Sequence, residues 1–171
     1  MINDVSISYL IFLMPLIVFA VNGLFLGRKS DKAAAAFAVA GNGIAMVSAL
    51  IVAVHYFSST FAPQKAVLFD FPFLSFAENF AAKIALLIDP LSVMMLVVVT
   101  VISFLVNIYS IGYMRVDRSA GRFFSILSLF SFSMLGLVAA TNLFQMFIFW
   151  ELVGVSSYLL IGFWYHTPSA V

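Results

Sequence analysis

From Pro90 to Tyr109 the chain runs for twenty residues without a charged side chain. As an α-helix that run is about 30 Å long, the thickness of a bilayer's hydrocarbon core. Lipid offers backbone N–H and C=O groups no partner, so a segment that crosses it must satisfy them internally, as a helix does. Four further runs have similar length and character: Ile7–Leu26, Ala33–Phe57, Phe123–Ala140 and Leu143–Trp164. Only 9% of the 171 residues are charged, against about 25% in a soluble domain. The pattern predicts an all-α integral membrane protein with five transmembrane helices.

Composition also removes several chemistries. The absence of Cys excludes disulfides, thiolate metal sites and thiol nucleophiles. Two His, far apart in sequence, make no metal site, and neither the net charge of +1 nor any basic patch points to nucleic acid. The chain starts MINDVS without a positive n-region, so its first apolar run reads as a retained helix rather than a signal peptide.

Three segments follow from this reading. Residues 1–57 hold helices one and two, joined by the charged link Arg28-Lys29-Ser30-Asp31-Lys32. In helix two, Gly41-Asn42-Gly43 allows close helix approach, with Asn42 as an interhelical hydrogen-bonding group. Residues 58–89 hold Pro63, Pro72, Lys65, Asp70, Glu78 and Lys83, with no apolar run long enough to span. Their aromatic and branched stretches VLFDFPFLSF and FAAKIALLI, separated at Glu78-Asn79, read as a β-hairpin or irregular cap on the outer face of the membrane. Residues 90–171 hold helices three to five. Asp89-Pro90 is a good helix start, since Asp caps and Pro suits the first turn. Thr141-Asn142 alone separates helices four and five, which predicts a tight antiparallel hairpin.

Charge in the links orients the whole. The one–two and three–four links hold six of the eight Lys and Arg. The positive-inside rule puts both in the cytoplasm, the N-terminus outside and the end of helix five inside.

The fifth run, LFQMFIFWELVGVSSYLLIGFW, carries Glu151 about 12 Å from its start. A carboxylate there costs roughly 2.5–3.5 kcal/mol on the insertion scale, taking Asp as proxy, and the apolar residues return about 0.3–0.6 kcal/mol each, so the helix still inserts. Phe144, Phe147, Gly154, Tyr158 and Gly162 fall within about 60° of Glu151 around the helix. Small residues and a hydroxyl beside a carboxylate suit a bundle interior. Low dielectric favours the neutral acid and a nearby cation favours the charged one, so a moving cation would switch the proton on and off. Glu151 is the leading site residue, with Tyr158 and Gly154 in support. His166, just past helix five, is a weaker candidate for proton uptake. Asp89 reads as a cap, His55 as an interfacial residue, and Ser156 and Ser157 as packing residues without a His–Asp arrangement. Trp164 fits an interfacial belt, and Trp150, deeper, is expected to pack.

The runs DPLSVMMLVVVTVISFLVNIYSIGYM and RFFSILSLFSFSMLGLVAATNLFQMFIFWELVGVSSYLLIGFWY closely resemble the antiporter-like membrane subunit, called L or chain 5, of respiratory complex I. The likeness covers Asp89 to Tyr165, about half of the chain. It implies the N-terminal part of a larger bundle built from two inverted repeats, each holding a broken helix. It also implies that Glu151 matches a Glu of the fifth span that pairs with a Lys two spans on. That Lys would lie beyond Val171, which implies a fragment unable to translocate protons alone. The implied function is proton translocation coupled to electron transfer from NADH to quinone, in a bacterial inner membrane. The implied partners are other complex I membrane subunits, lipid and protons. Flavin, iron–sulfur clusters, NADH and quinone would belong to other subunits, leaving no cofactor here. A multi-subunit Na⁺/H⁺ antiporter, a membrane-bound hydrogenase relative and a non-transporting scaffold remain as alternatives.

Overall fold

The computed structural model describes residues 2–58, 66–77, 80–115, 117 and 119–164. Five helices in it are long and apolar enough to cross a membrane. They are α1 (Ile2–Val21), α2 (Asp31–Ser58), α3 (Pro90–Tyr113), α4 (Ala120–Val138) and α5 (Leu143–Ile161). Between α2 and α3, strands β1 (Ala66–Ala77) and β2 (Phe80–Ile88) pair antiparallel, with Ala66 opposite Ile88 and Ala77 opposite Phe80. The predicted turn at Glu78-Asn79 lies outside the described residues.

α1 does not stop at Val21. It passes through a wider π turn, Asn22–Leu26, and one more helical turn, Gly27–Lys29. The widened turn sets Asn22 against α2, where its Nδ2 donates to Ala34 O at 3.0 Å. From α4, Ser125 Oγ donates to Phe19 O at 2.9 Å, just upstream. A little further on, Gly27 and Gly121 meet backbone to backbone, and a Cβ on Gly121 would overlap Gly27 Cα. Glycine is required at this crossing for lack of space.

α4 is the axis of the bundle. It packs against all four other helices, and 56% of its span is buried against 11% for α5. Two apolar clusters fill opposite ends. One joins Ile11, Phe12, Val52, Leu96 and Leu135, and the other joins Val18, Ala38, Met114 and Phe124. Between them the packing is small and polar. Ser128 and Ser131 of α4, Asn42 of α2 and Thr100 of α3 are all buried. Each donates to the carbonyl four residues back in its own helix, so little polarity is left exposed to lipid. Asn42 Nδ2 also reaches Ser128 Oγ at 3.3 Å. Gly41 lets Val18 of α1 sit directly on α2.

Both cationic links lie at one end of the bundle, together with the end of α5. There Gly121 N donates to Asp31 Oδ1 at 2.9 Å and Trp164 Nε1 donates to Asp117 Oδ2 at 2.7 Å. The hairpin lies at the other end, against the α4–α5 link. Leu87 N donates to Ala139 O, and Leu86 bridges Ala140. Asp89 caps α3 by accepting from Ser92 N at 2.7 Å.

Most helix ends differ from the sequence reading: α1 starts at Ile2 instead of Ile7, α2 runs Asp31–Ser58 instead of Ala33–Phe57, and α5 closes at Ile161 before a short 3-10 turn, Gly162–Trp164. α3 runs one turn past Tyr109 to Tyr113, and these two rings stack with centroids 6.0 Å apart. α4 starts at Ala120 instead of Phe123, because its cap comes from Asp31 on another helix. It ends at Val138, two residues short of Ala140, where the carbonyls turn to meet the hairpin.

Candidate functional site: an uncovered carboxylate face

Asn142 caps the start of α5, its Oδ1 accepting from Gln145 N at 2.8 Å. One side of the helix rests on α4. Gly136 leaves the room that the Phe149 ring occupies, and Phe132 meets that ring edge-on at 5.7 Å. Ser156 is fully buried on this side and donates to Val153 O, which is a packing role.

The rest of α5 faces away from the chain. Glu151 is exposed, and among the described residues it makes no hydrogen bond or ion pair. A Cβ built on Gly154 or Gly162 meets nothing within 4 Å. Tyr158 is 75% exposed and Phe147 62%. Glu151, Gly154 and Tyr158 therefore share one open face, and among the described residues no helix uses the close approach that the two glycines permit. His166 lies outside the described residues. Trp150, expected to pack, is instead 65% exposed on the same open side, because α4 supplies only one flank.

A carboxylate held inside a membrane span and left facing lipid costs roughly 2.5–3.5 kcal/mol or more. Such a face is stable when protein or water covers it. A Cβ-free strip beside the carboxylate admits a second helix near enough to bring a cation to Glu151. The chemistry open to this arrangement is gain and loss of a proton. Among the described residues no group of three His, Asp or Glu converges as a metal site.

Sequence reasoning missed Gln145. Its side chain is buried, and its Oε1 accepts from Ala85 N at 3.1 Å, Thr141 N at 3.4 Å and Thr141 Oγ1 at 3.2 Å. Asn142 Nδ2 adds a bond to Lys83 O at 2.6 Å. Together these fasten the hairpin to the start of the Glu151 helix. The spacing Asn142-x-x-Gln145 resembles a capping box, which was the available clue.

The fold and this face define a multi-span helical membrane protein with a carboxylate on an open face of one span. Comparison with known proteins narrows this. Residues 73–124 match the family described as NADH-Ubiquinone oxidoreductase (complex I), chain 5 N-terminus, and residues 140–171 match NADH:quinone oxidoreductase/Mrp antiporter, TM. NADH-quinone oxidoreductase subunit L of Rickettsia typhi is 41% identical over 165 residues, which is 96% of this chain and 25% of that protein. The chloroplastic NAD(P)H-quinone oxidoreductase subunit 5 of Chaetosphaeridium globosum is 43% identical over 148 residues, 86% of this chain and 22% of that protein. Its counterpart in Physcomitrium patens is 60% identical over 88 residues, 52% of this chain and 12% of that protein. The chain belongs to the subunit L, or chain 5, family of complex I. It spans about a quarter of the length of the first of these relatives.

Proposed function

We propose that this chain forms five helices in the N-terminal part of a proton-translocating membrane subunit of an NADH:quinone oxidoreductase, and that Glu151 carries protons in it. The supporting observation is the open face of α5, where a carboxylate inside the span stands beside Gly154, Tyr158 and Gly162. That face admits a helix bearing a cation, and the approach or retreat of a cation changes which protonation state of Glu151 is favoured. Tyr158 offers a hydroxyl one turn beyond Gly154. The chain itself carries out no redox step and binds no cofactor in this reading. Electron transfer occurs in partner subunits of the complex and drives the change at Glu151. Alone, without a cation brought to the open face, the chain is inactive in translocation. The two links that hold six of the eight Lys and Arg orient their end to the cytoplasm, with the N-terminus and hairpin on the outer face of a bacterial inner membrane.

The test is Glu151→Gln in the complete complex. Quinone-linked proton translocation should fall while the complex still assembles. Unchanged pumping would remove Glu151 from the proton path. The family match over residues 140–171 is shared with Mrp antiporters, so the same preparation should be assayed for Na⁺ movement. A Na⁺ flux without a proton flux favours that second reading.

A further inference from the structure

At the cation-rich end a crevice of about 760 Å³ opens between the start of α2 and the end of α3, with α4 behind it. Its floor is apolar and buried, formed by Ala35, Met114 and Phe124. Ile111, 46% exposed, forms part of a wall. Lys32 and Arg115, both exposed, line the same crevice. Neither makes an ion pair among the described residues. Two carboxylates also line it, but both are already engaged. Asp31 Oδ1 accepts from Gly121 N at 2.9 Å. Asp117 accepts from Ser119 N and from Trp164 Nε1, each at 2.7 Å. The links that frame the crevice carry six cationic side chains against these two acids.

We propose that this crevice holds an anionic phospholipid, its phosphate between Lys32 and Arg115 and the start of an acyl chain on the floor of Ala35, Met114 and Phe124. A soluble anion would use the cations and leave the apolar floor wet. A neutral lipid would cover the floor and leave the cations unmatched. An anionic lipid uses both, and basic pockets between membrane helices suit such headgroups. Gly112 lines the crevice too, and a Cβ there meets nothing within 4 Å. A side chain at that position therefore starts in open space beside the crevice.

The chain is placed in phosphatidylcholine nanodiscs containing a minor fraction of phosphatidylglycerol with a photoreactive acyl chain. Labelled peptides are then mapped by mass spectrometry. In the unsubstituted chain, labelling should concentrate on residues 32–36 and 111–115. Labelling spread evenly over the lipid-facing helices overturns the proposal without needing any variant. Lys32→Gln with Arg115→Gln should lower crevice labelling by about fivefold for each cation removed, whereas Lys29→Gln at the same end should not. Equal losses in both would mean general surface attraction and refute a site. Gly112→Leu keeps every charge and should displace the acyl chain, and undiminished labelling there refutes the apolar half of the site. Excess inorganic phosphate should not compete. If it does, the crevice binds a free anion instead of a lipid.

Discussion

Replacing Gln145 with Met removes a side-chain carbonyl at a position only 1% exposed while keeping its length. Three donors lose their acceptor: Ala85 N, Thr141 N and Thr141 Oγ1. Thr141 is exposed and water can take over its two bonds. Ala85 is 4% exposed, so its N–H is left unpaired in the packed contact between β2 and α5. An orphaned buried donor costs about 1–3 kcal/mol. Amide hydrogen exchange in detergent or nanodiscs reads this locally. Protection of residues 84–87 should fall by about 5–150-fold, the equivalent of that free energy. The middle of α4 should hardly change. Thr141→Val is the control and should cost no more than about 0.5 kcal/mol, leaving Ala85 protected. If Gln145→Met leaves exchange at Ala85 as it was, the side chain does not fasten the hairpin and the reasoning fails.

Other substitutions probe the helix crossings. Gly121→Ala places a methyl group against Gly27 Cα and should destabilise the bundle by about 1–3 kcal/mol, read as a lower denaturation midpoint in SDS titration. Gly136→Val should drive the Phe149 ring out of its seat and separate α5 from α4, seen as faster proteolysis of the α4–α5 link, and adding Phe149→Ala should restore part of the resistance. A double-mutant cycle of Asn42→Ala and Ser128→Ala should give a coupling of only about 0.6 kcal/mol, because each side chain keeps a carbonyl of its own helix as partner.

The five helices were readable because length and lack of charge suffice to define a span, and Asp89-Pro90 announced the start of α3 locally. The hairpin was readable because its branched and aromatic runs were too short to span and were broken at Glu78-Asn79. What escaped was whatever depends on a distant partner. Asp31 starts α4 from 90 residues away, and Gln145 reaches Ala85 across 60. The π turn at Asn22 was equally hidden, since its support comes from Ala34 and Ser125. For Glu151 the sequence revealed the costly charge and the small residues beside it. It could not reveal that α4 would take only the opposite flank, leaving Trp150 and Tyr158 uncovered along with the carboxylate.

The central place of α4 bears on how the chain enters the membrane. Its serines make it the least apolar of the five spans, so it is the one least suited to wait alone in lipid. Synthesis delivers α1, α2 and α3 first, and those three already present the surfaces that α4 will occupy. The helix that most needs company thus arrives at a seat prepared by its predecessors. α5 then emerges as the newest edge of the assembly, with its carboxylate turned outward at the growing side.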